Sequence, residues 1–463
     1  MANGSALLDE FQRSALDECA PPCRVSVLGA PGTGKTRLLE ALVAREAAAP
    51  GGRIAVITFD RRAAGALYDS MSLRLGSLSE RVGVHTLTAF AYSIVQAYAQ
   101  AVGRRDPELI SGPEEDALLA EILGDADAPI EFPEFVTDDL RATKGFRSQI
   151  RDLITRASEL GCSSGRLERL GRRLGEPMWV AGAHVLDLYE SVTAAQDAFA
   201  GSSQSPDRLD HARLVGAATA MLRNWDGNVS REPQARRFPR PRWDWVLVDD
   251  VHNAPGSIVA LLAELACDGA SIVVTGDPDA SVQGFRGALA SLPGDVTRLL
   301  GCRPVPLRRR HRAGRRIAGL ADRIAGAIRV GGGAIAQREP APATGEDLLE
   351  GRRFVNGEEE NAWIAHTLRE AHLLGGTSYA DMAVMTRSRS AHAGIRASLV
   401  RRGIPVGQIG TDRPLREEPA VAALLDLVRL ALPDRDGAPD VRDVLAGPMV
   451  AIDPLRLRQL GRT

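Results

Sequence analysis

Short runs of consecutive apolar residues open the chain's pattern, and each leads into a stretch whose apolar positions recur at helical spacing. RVSVLG (residues 24–29) and IAVITF (54–59) read as strands buried on both faces, since a strand with one wet face would alternate apolar with polar. TRLLEALVARE follows the first and RRAAGALYDSMSLRLG the second, both with a helical period. Strand and helix in alternation predict an α/β fold built on a parallel sheet. Residues 101–240 differ: they are charged, mostly helical in period, and interrupted by PEEDALLAEILGDADAP and by SREPQARRFPRPR, which predicts a helical insertion. Strand signals return at WDWVLVDD and SIVVTGD, each presenting acidic residues at its C-terminal end, so the first core resumes there.

Beyond that core, GGGAIAQREPAPATGED (331–347) reads as an exposed loop or strap. DMAVMTRS then reads as a buried strand, SAHAGIRASLVRRG as an amphipathic helix and IPVGQIG as a further short strand, which together begin a second α/β unit. The tail after residue 411 is helical in period and ends at LRLRQLGRT without completing a unit, as expected of the N-terminal part of a longer chain. The predicted organisation is a first core over 1–100 and 241–304, an insertion over 101–240, part of a second core over 305–410, and the start of another insertion over 411–463.

Composition narrows the classes. A length of 463 residues with 44% hydrophobic content supports about three domains with sizeable cores. A formal net charge of −2 exerts no global pull on nucleic acid, so any such contact must come from local arginine surfaces or grooves. No apolar run approaches the ~20 residues of a membrane span, and the polar, amphipathic N-terminus is no export signal, so a cytoplasmic protein without a membrane partner is expected. The five cysteines, Cys19, Cys23, Cys162, Cys267 and Cys302, form no paired metal spacing and read as reduced thiols.

Candidate chemistry concentrates in GAPGTGKT, residues 29–36, which sits between the first strand and the first long helix. Lys35 is one of two lysines in a chain that otherwise uses arginine. A flexible ammonium can be threaded along a loop to the outer phosphates of a nucleotide, where a planar guanidinium fork cannot. Gly29, Gly32 and Gly34 let backbone N–H groups turn toward those phosphates, with Ala30, Pro31 and Thr33 completing the loop and Arg37 following it at the positive end of the helix. Thr36 would hold a magnesium ion, and Asp249, at the end of VLVDD, is placed to complete that ion's shell. Asp250 is the candidate base for the attacking water.

Further strings carry a family resemblance. GDPDASVQGFRGA (276–288) is very similar to the third motif of superfamily 1A DNA helicases, the UvrD/Rep/RecB group. LDEFQRSAL (8–16) resembles their adenine-reading Q motif, TFDRRAA (58–64) motif Ia, VHTLTAF (84–90) motif Ib, VLVDDVHNA motif II, and LRRRHRA (307–313) motif IV. The resemblance implies RecA-like P-loop NTPase cores, 1A and 2A, with helical 1B and 2B insertions. ATP and Mg2+ would lie between the cores and single-stranded DNA across their tops, with 3′–5′ movement. It implies that Gln12 hydrogen-bonds adenine, that His311 stands where a tyrosine stacks on it, and that Arg312 reaches the γ-phosphate. Thr58, Phe59, Thr86, Phe285 and Arg286 would contact DNA, Phe285 by stacking on bases.

The departures from the family pattern are also specific. Motif II normally ends in Asp-Glu, and Asp250 is one methylene shorter; motif III normally carries a γ-phosphate-sensing glutamine where this chain has Ala280. His252 and Asn253 replace Gln and Asp, Gln283 replaces an aromatic, and no string resembles motifs V or VI. The arginine bias and the altered motif II resemble the AdnA-type subunits of actinobacterial helicase-nucleases, which implies an AdnB-like partner and work on double-strand breaks. Two readings follow: a DNA-dependent ATPase and helicase subunit, or a DNA-binding scaffold with a vestigial motor. A P-loop kinase or metabolic ATPase leaves GDPDASVQGFRGA and LRRRHRA unexplained.

Overall fold

The computed structural model describes residues 8–75, 80–125, 128–199, 208–229, 238–284, 287–329, 335–340, 345–407, 419–431, 441–446 and 452. Two units divide the chain, Met1–Leu349 and Glu350–Thr463.

In the first unit, helix α1 (Glu10–Glu18) leads into β1 (Arg24–Gly29), α2 (Lys35–Ala48), β2 (Ile54–Thr58), α3 (Arg61–Leu75), β3 (Val82–Thr86) and α4 (Leu87–Ala101). A helical excursion follows: the two-residue strand β4 (Glu108–Leu109), α5 (Gly112–Gly124), α6 (Asp138–Ala142), α7 (Lys144–Glu159), α8 (Ser164–Leu174), α9 (Pro177–Phe199), β5 (Arg208–Leu209), α10 (His211–Arg223) and α11 (Trp225–Val229). The chain then returns through β6 (Trp245–Val248), α12 (Ile258–Cys267), β7 (Ser271–Gly276), α13 (Leu292–Leu299), β8 (Arg303–Leu307) and α14 (Arg315–Ala327).

Among the described residues, one six-stranded sheet has the order β3-β2-β6-β7-β1-β8, with every pairing parallel. Its central strands are buried along their whole length, which is why they read as unbroken apolar runs rather than alternations. Successive residues serve opposite faces: Ile57, Val248 and Val274 meet α4, α10 and α12 on one side, while Val56, Leu247 and Val273 meet α1, α2 and α3 on the other. Because all strands run the same way, the C-terminal residues Gly29, Thr58, Thr86, Val248 and Gly276 share one edge, and the loops that leave them are gathered there.

Two elements differ from the expectation. PEEDALLAEILG, the first part of PEEDALLAEILGDADAP, lies in α5 rather than in an interruption, because Ser111 and Glu114 make a reciprocal capping box at its start, with Pro113 in the first turn. RPVPL, unremarkable in the sequence, forms β8 at the sheet margin; a proline that cannot donate to a ladder is tolerated on an edge strand. The excursion has its own apolar core, with Leu119, Ile150, Ile154, Leu186 and Tyr189 buried between α5, α7 and α9.

The second unit contains α15 (Gly357–Leu373), α16 (Arg389–Arg401), α17 (Pro419–Ala431) and α18 (Val441–Ala446). Ala365, Leu399 and Ile404 form its small core. SAHAGIRASLVRRG is helical as expected, whereas DMAVMTRS is not a buried strand: no described strand pairs with it, and Met385 is 91% exposed. A short apolar run predicts burial only where a partner strand or helix covers it. Residues 404–407 of IPVGQIG are likewise outside any strand, and 408–410 lie beyond the described residues. No described helix is long and apolar enough to cross a membrane.

Leu42 of α2 is fully buried against the sheet. Leu42→Ala is expected to destabilise the first unit by about 2–5 kcal/mol, read as a lower urea midpoint at unchanged slope. A loss below about 1 kcal/mol would show that the layer under the phosphate loop collapses around the gap.

Candidate active site

Gly29 ends β1, and the chain must turn at once to start α2 at Lys35. Gly32 and Gly34 make that turn with φ of 83° and 80°, a backbone that a side chain would strain. A Cβ at Gly29 would also strike the Thr33 hydroxyl, so the loop closes tightly only with glycine there. The Thr33 hydroxyl bonds the Ala30 carbonyl at 2.8 Å, and the Lys35 ammonium reaches back along the loop to the carbonyls of Gly29 (2.7 Å) and Ala30 (3.4 Å). Pro31 is exposed, and Arg37 lies along α2 against Glu40. The loop therefore holds a cation inside a curl of backbone at the positive end of a helix, the electrostatic setting for phosphate groups.

β6 delivers Asp249 next to that curl. The Thr36 hydroxyl donates to one carboxylate oxygen at 2.9 Å, and the Thr275 hydroxyl of β7 donates to the other at 2.7 Å. Burial pushes the Asp249 carboxyl up and the neighbouring Asp250 pushes it further, while the two hydroxyls and the Lys35 charge oppose the shift. Thr36 and Asp249 are thus an oxygen pair able to share a magnesium ion whose other ligands would be phosphate and water. Asp250 lies in the left-handed region at φ 54°, which aspartate tolerates better than most residues, and its N–H donates to the Thr275 hydroxyl at 3.1 Å. Its carboxyl is also raised by burial, against the pull of Lys35.

Behind this pair sits His252, buried, whose Nδ1 accepts the Asp277 N–H at 3.1 Å. Burial and the Lys35 charge push its pKa down to about 4, so the ring is neutral near pH 7. Burial pushes Asp277 up to about 6. Asp279 is gripped from the strap: Gln337 Nε2 donates to it at 3.1 Å and Arg338 Nε at 2.9 Å. Sequence reasoning missed Thr275, Gln337 and Arg338, and read Asp277 only as an acidic strand end. A threonine inside an otherwise apolar, wholly buried strand was a usable signal for Thr275, whereas nothing local marked the strap residues.

On the far side of the loop, Gln12 is buried at the start of α1 and bonds the loop carbonyls of Thr33 (3.4 Å) and Gly34 (3.3 Å). His311 donates its backbone N–H to the Gly32 carbonyl at 2.9 Å and sets its ring Nε2 2.7 Å from an Asp9 carboxylate oxygen. Arg312 follows, its backbone against Gly32 and its side chain exposed. Thr58 and Thr86 end adjacent strands in register, with Phe59 just beyond; Thr86 also caps α4 by accepting the Ala89 N–H at 3.2 Å. Phe285 and Arg286 lie outside the described residues. The structure therefore gathers Gln12, residues 29–37, Asp249, Asp250, His311 and Arg312 around one loop, with Thr58 and Thr86 further along the same sheet edge. Among the described residues no cluster of three or more His, Cys, Asp or Glu side chains could hold a metal ion by itself.

His252 sets a pH dependence. In the unfolded chain its imidazole protonates below about 6.5, whereas in the fold it resists protonation until about 4, so native stability falls as pH drops through that window. His252→Gln removes this dependence. Relative to the parent, the variant is expected to gain up to about 3 kcal/mol between pH 7 and pH 4, measured by urea unfolding at both values; a pH-independent difference would place the ring in a more polar setting.

The UvrD/REP helicase N-terminal domain family matches residues 8–293. The chain is 25% identical over 419 residues to the ATP-dependent DNA helicase UvrD1 of Mycobacterium tuberculosis (strain ATCC 25618 / H37Rv), covering 88% of this chain and 50% of that protein. It is 23% identical over 478 residues to the ATP-dependent DNA helicase Rep of Escherichia coli (strain K12), covering 98% and 62%. It is also 23% identical over 430 residues to the ATP-dependent DNA helicase srs2 of Schizosaccharomyces pombe, covering 88% and 44%. The chain spans about half the length of the UvrD1 relatives it matches. The matched span carries the phosphate loop, the acidic ends of β6 and β7 and the α1 anchor, and the chain belongs to the UvrD/REP helicase family through this N-terminal domain.

Proposed function

We propose that this chain is the motor portion of an ATP-dependent DNA helicase or translocase subunit, binding ATP with Mg2+ at the phosphate loop and single-stranded DNA along the same sheet edge. The observation that carries the reading is the 2.9 Å bond from Thr36 to Asp249 beside the looped-back Lys35 ammonium. Lys35 would exchange its two carbonyl partners for the outer phosphates. Thr36 and Asp249 would hold the magnesium, which when bound neutralises charge developing on the phosphates. Asp250 would orient and deprotonate the attacking water, and Arg312 would approach the γ-phosphate. Thr58, Phe59, Thr86, Phe285 and Arg286 are the proposed DNA contacts. In this reading 1–100 and 241–304 form core 1A, 101–240 its 1B insertion, 305–410 the first part of 2A and 411–463 the start of 2B.

Two features slow this motor. Asp250 reaches one methylene less far toward the water than the usual glutamate, and Ala280 offers no amide to report the γ-phosphate. A general base contributes about 10²–10⁴ in rate, so a retracted carboxylate forfeits a large part of it. These residues favour a second reading, a DNA-binding scaffold whose nucleotide site turns over little, paired with an AdnB-like motor in double-strand-break processing.

ATP hydrolysis with and without single-stranded DNA, beside a nucleotide titration, separates the two. Turnover stimulated by DNA and abolished by Lys35→Ala selects the motor; salt-dependent DNA binding without turnover selects the scaffold. Asp250→Glu with Ala280→Gln is expected to raise turnover at least about tenfold, within the range a general base supplies. Unchanged turnover in that double variant would mean that neither residue limits hydrolysis.

A further inference from the structure

Two cysteines that the nucleotide chemistry does not use sit at the N-terminal end of β1, the end away from the phosphate loop. Cys19 closes α1 and Cys23 leads into β1, with Ala20, Pro21 and Pro22 between them. Those three residues are exposed, whereas Cys19 is buried and Cys23 half-buried, both packed in the layer that holds Val25 and Leu42. The turn therefore carries both thiols to the same side of the sheet.

Both backbones are pinned. The Cys19 N–H donates to the Leu16 carbonyl at 3.1 Å, and Arg45 of α2 donates to the carbonyls of Leu16 (2.8 Å) and Cys19. The Cys23 N–H donates to the Ser271 hydroxyl at 3.3 Å and its carbonyl accepts the Ile272 N–H at 2.8 Å, which fastens it to β7. A disulfide tolerates little latitude in approach, so thiols held in place on either side of a short turn are the favourable case. The Cys19 S–H faces the Ala15 carbonyl at 3.2 Å, and the two cysteine side chains are hydrogen-bonded to one another. That bond, with burial, raises Cys19 far above the usual thiol range. It lowers Cys23 against the effect of burial, and the Ser271 hydroxyl and the Arg45 charge also favour the Cys23 thiolate. One sulfur is thus disposed to act as nucleophile while its neighbour keeps its proton.

Among the described residues no other thiol is bonded to a second thiol: Cys162 Sγ faces the Ser163 carbonyl at 3.9 Å, and burial pushes Cys302 up to about 11. Nor does a third ligand make the pair a metal site, since no described cluster of three or more His, Cys, Asp or Glu could hold an ion.

We propose that Cys19 and Cys23 are a redox pair: Cys23 is the site at which a hydroperoxide oxidises this protein, and Cys19 resolves it to a disulfide within the chain. The Cys23 thiolate attacks the peroxide; an S–O bond forms, the O–O bond breaks, and the departing oxygen takes a proton to leave as water or alcohol. Cys23, now a sulfenic acid, has lost two electrons and the peroxide has gained them. The Cys19 sulfur then attacks the Cys23 sulfur; an S–S bond forms, the S–O bond breaks, and hydroxide leaves with the Cys19 proton as water. A thiol reductant reverses the bridge by exchange. None of these steps depends on a nucleotide.

Timed oxidation of the full chain with hydrogen peroxide, quenched by alkylation and mapped by peptide mass spectrometry, tests the pair. The earliest oxidised species is expected to have lost two of its five thiols to a bridge between Cys19 and Cys23, with Cys162, Cys267 and Cys302 still free, and to recover all five in dithiothreitol. Cys19→Ser is expected to leave Cys23 as a sulfenic acid that dimedone captures, and Cys23→Ser to leave Cys19 a thiol. An earliest species oxidised at another cysteine, a bridge between chains, a Cys23 acid that persists beside a Cys19 thiol, or no loss of thiols overturns the proposal. Dimedone on Cys19 in Cys23→Ser overturns the assignment of Cys23 as the reacting thiol. The parent chain decides by itself whether the bridge forms, so a poorly folding variant does not remove the test.

Discussion

The buried carboxylate of Asp249 is the constraint on which the site depends. An ionised group taken out of water must be compensated by hydrogen bonds or charge, and Asp249 receives one hydroxyl from the start of α2, one from the end of β7, and the nearby Lys35 charge. Those groups lie on two elements, α2 and β7, while the carboxylate follows a third, β6, so satisfying it fixes the phosphate loop against β6 and β6 against β7. The parallel sheet makes the arrangement possible because it ends all three strands at one edge. The same network positions the Asp250 backbone through Thr275, so the proposed base and the fold are held by the same few bonds.

Second-layer residues bias that network. His252 is neutral and accepts the Asp277 N–H, which joins the end of β6 to the turn after β7. Burial chiefly, and then the Lys35 charge, depress the pKa of His252, so the ring adds no positive potential beside the ammonium. On the other side of the loop, Asp9, Gln12 and His311 stiffen the curl that Lys35 occupies. The loop is consequently well braced on that side, and Asp250 and Ala280, proposed above to limit turnover, are among the positions that depart from the family pattern.

Much of this was legible in the sequence because it is local. Glycine at 32 and 34 announces the left-handed turn, and unbroken apolar runs announce strands buried on both faces. The acidic strand ends follow from the same pattern. What was not legible depends on partners distant along the chain. His311 meets Asp9 across 302 positions, and Arg338 meets Asp279 across 59, with no periodicity in either segment to mark the pairing. β8 was hidden because its prolines argue against a strand everywhere except at a sheet margin. DMAVMTRS failed in the opposite direction: its apolar run resembles a core strand, but burial is conferred by a covering element that the run itself does not specify.

The strap around Gln337 and Arg338 shows how such distant contacts shape the site. Asp279 sits one residue from Ala280, in the turn that resembles the family's third motif, and its carboxylate is held by two side chains from a segment whose sequence reads as an exposed loop or strap. Arg338 also donates to the Ile328 carbonyl at 2.9 Å, so the same guanidinium ties the third-motif turn to the end of α14. Arginine's fork can hold a carboxylate and a carbonyl at once, which a lysine could not do with comparable geometry. Where Ala280 has lost its own amide, the turn is fixed from outside by this clamp. The turn that carries Asp279 is therefore tied to the end of α14 through one guanidinium, a restraint that lies outside the turn's own sequence.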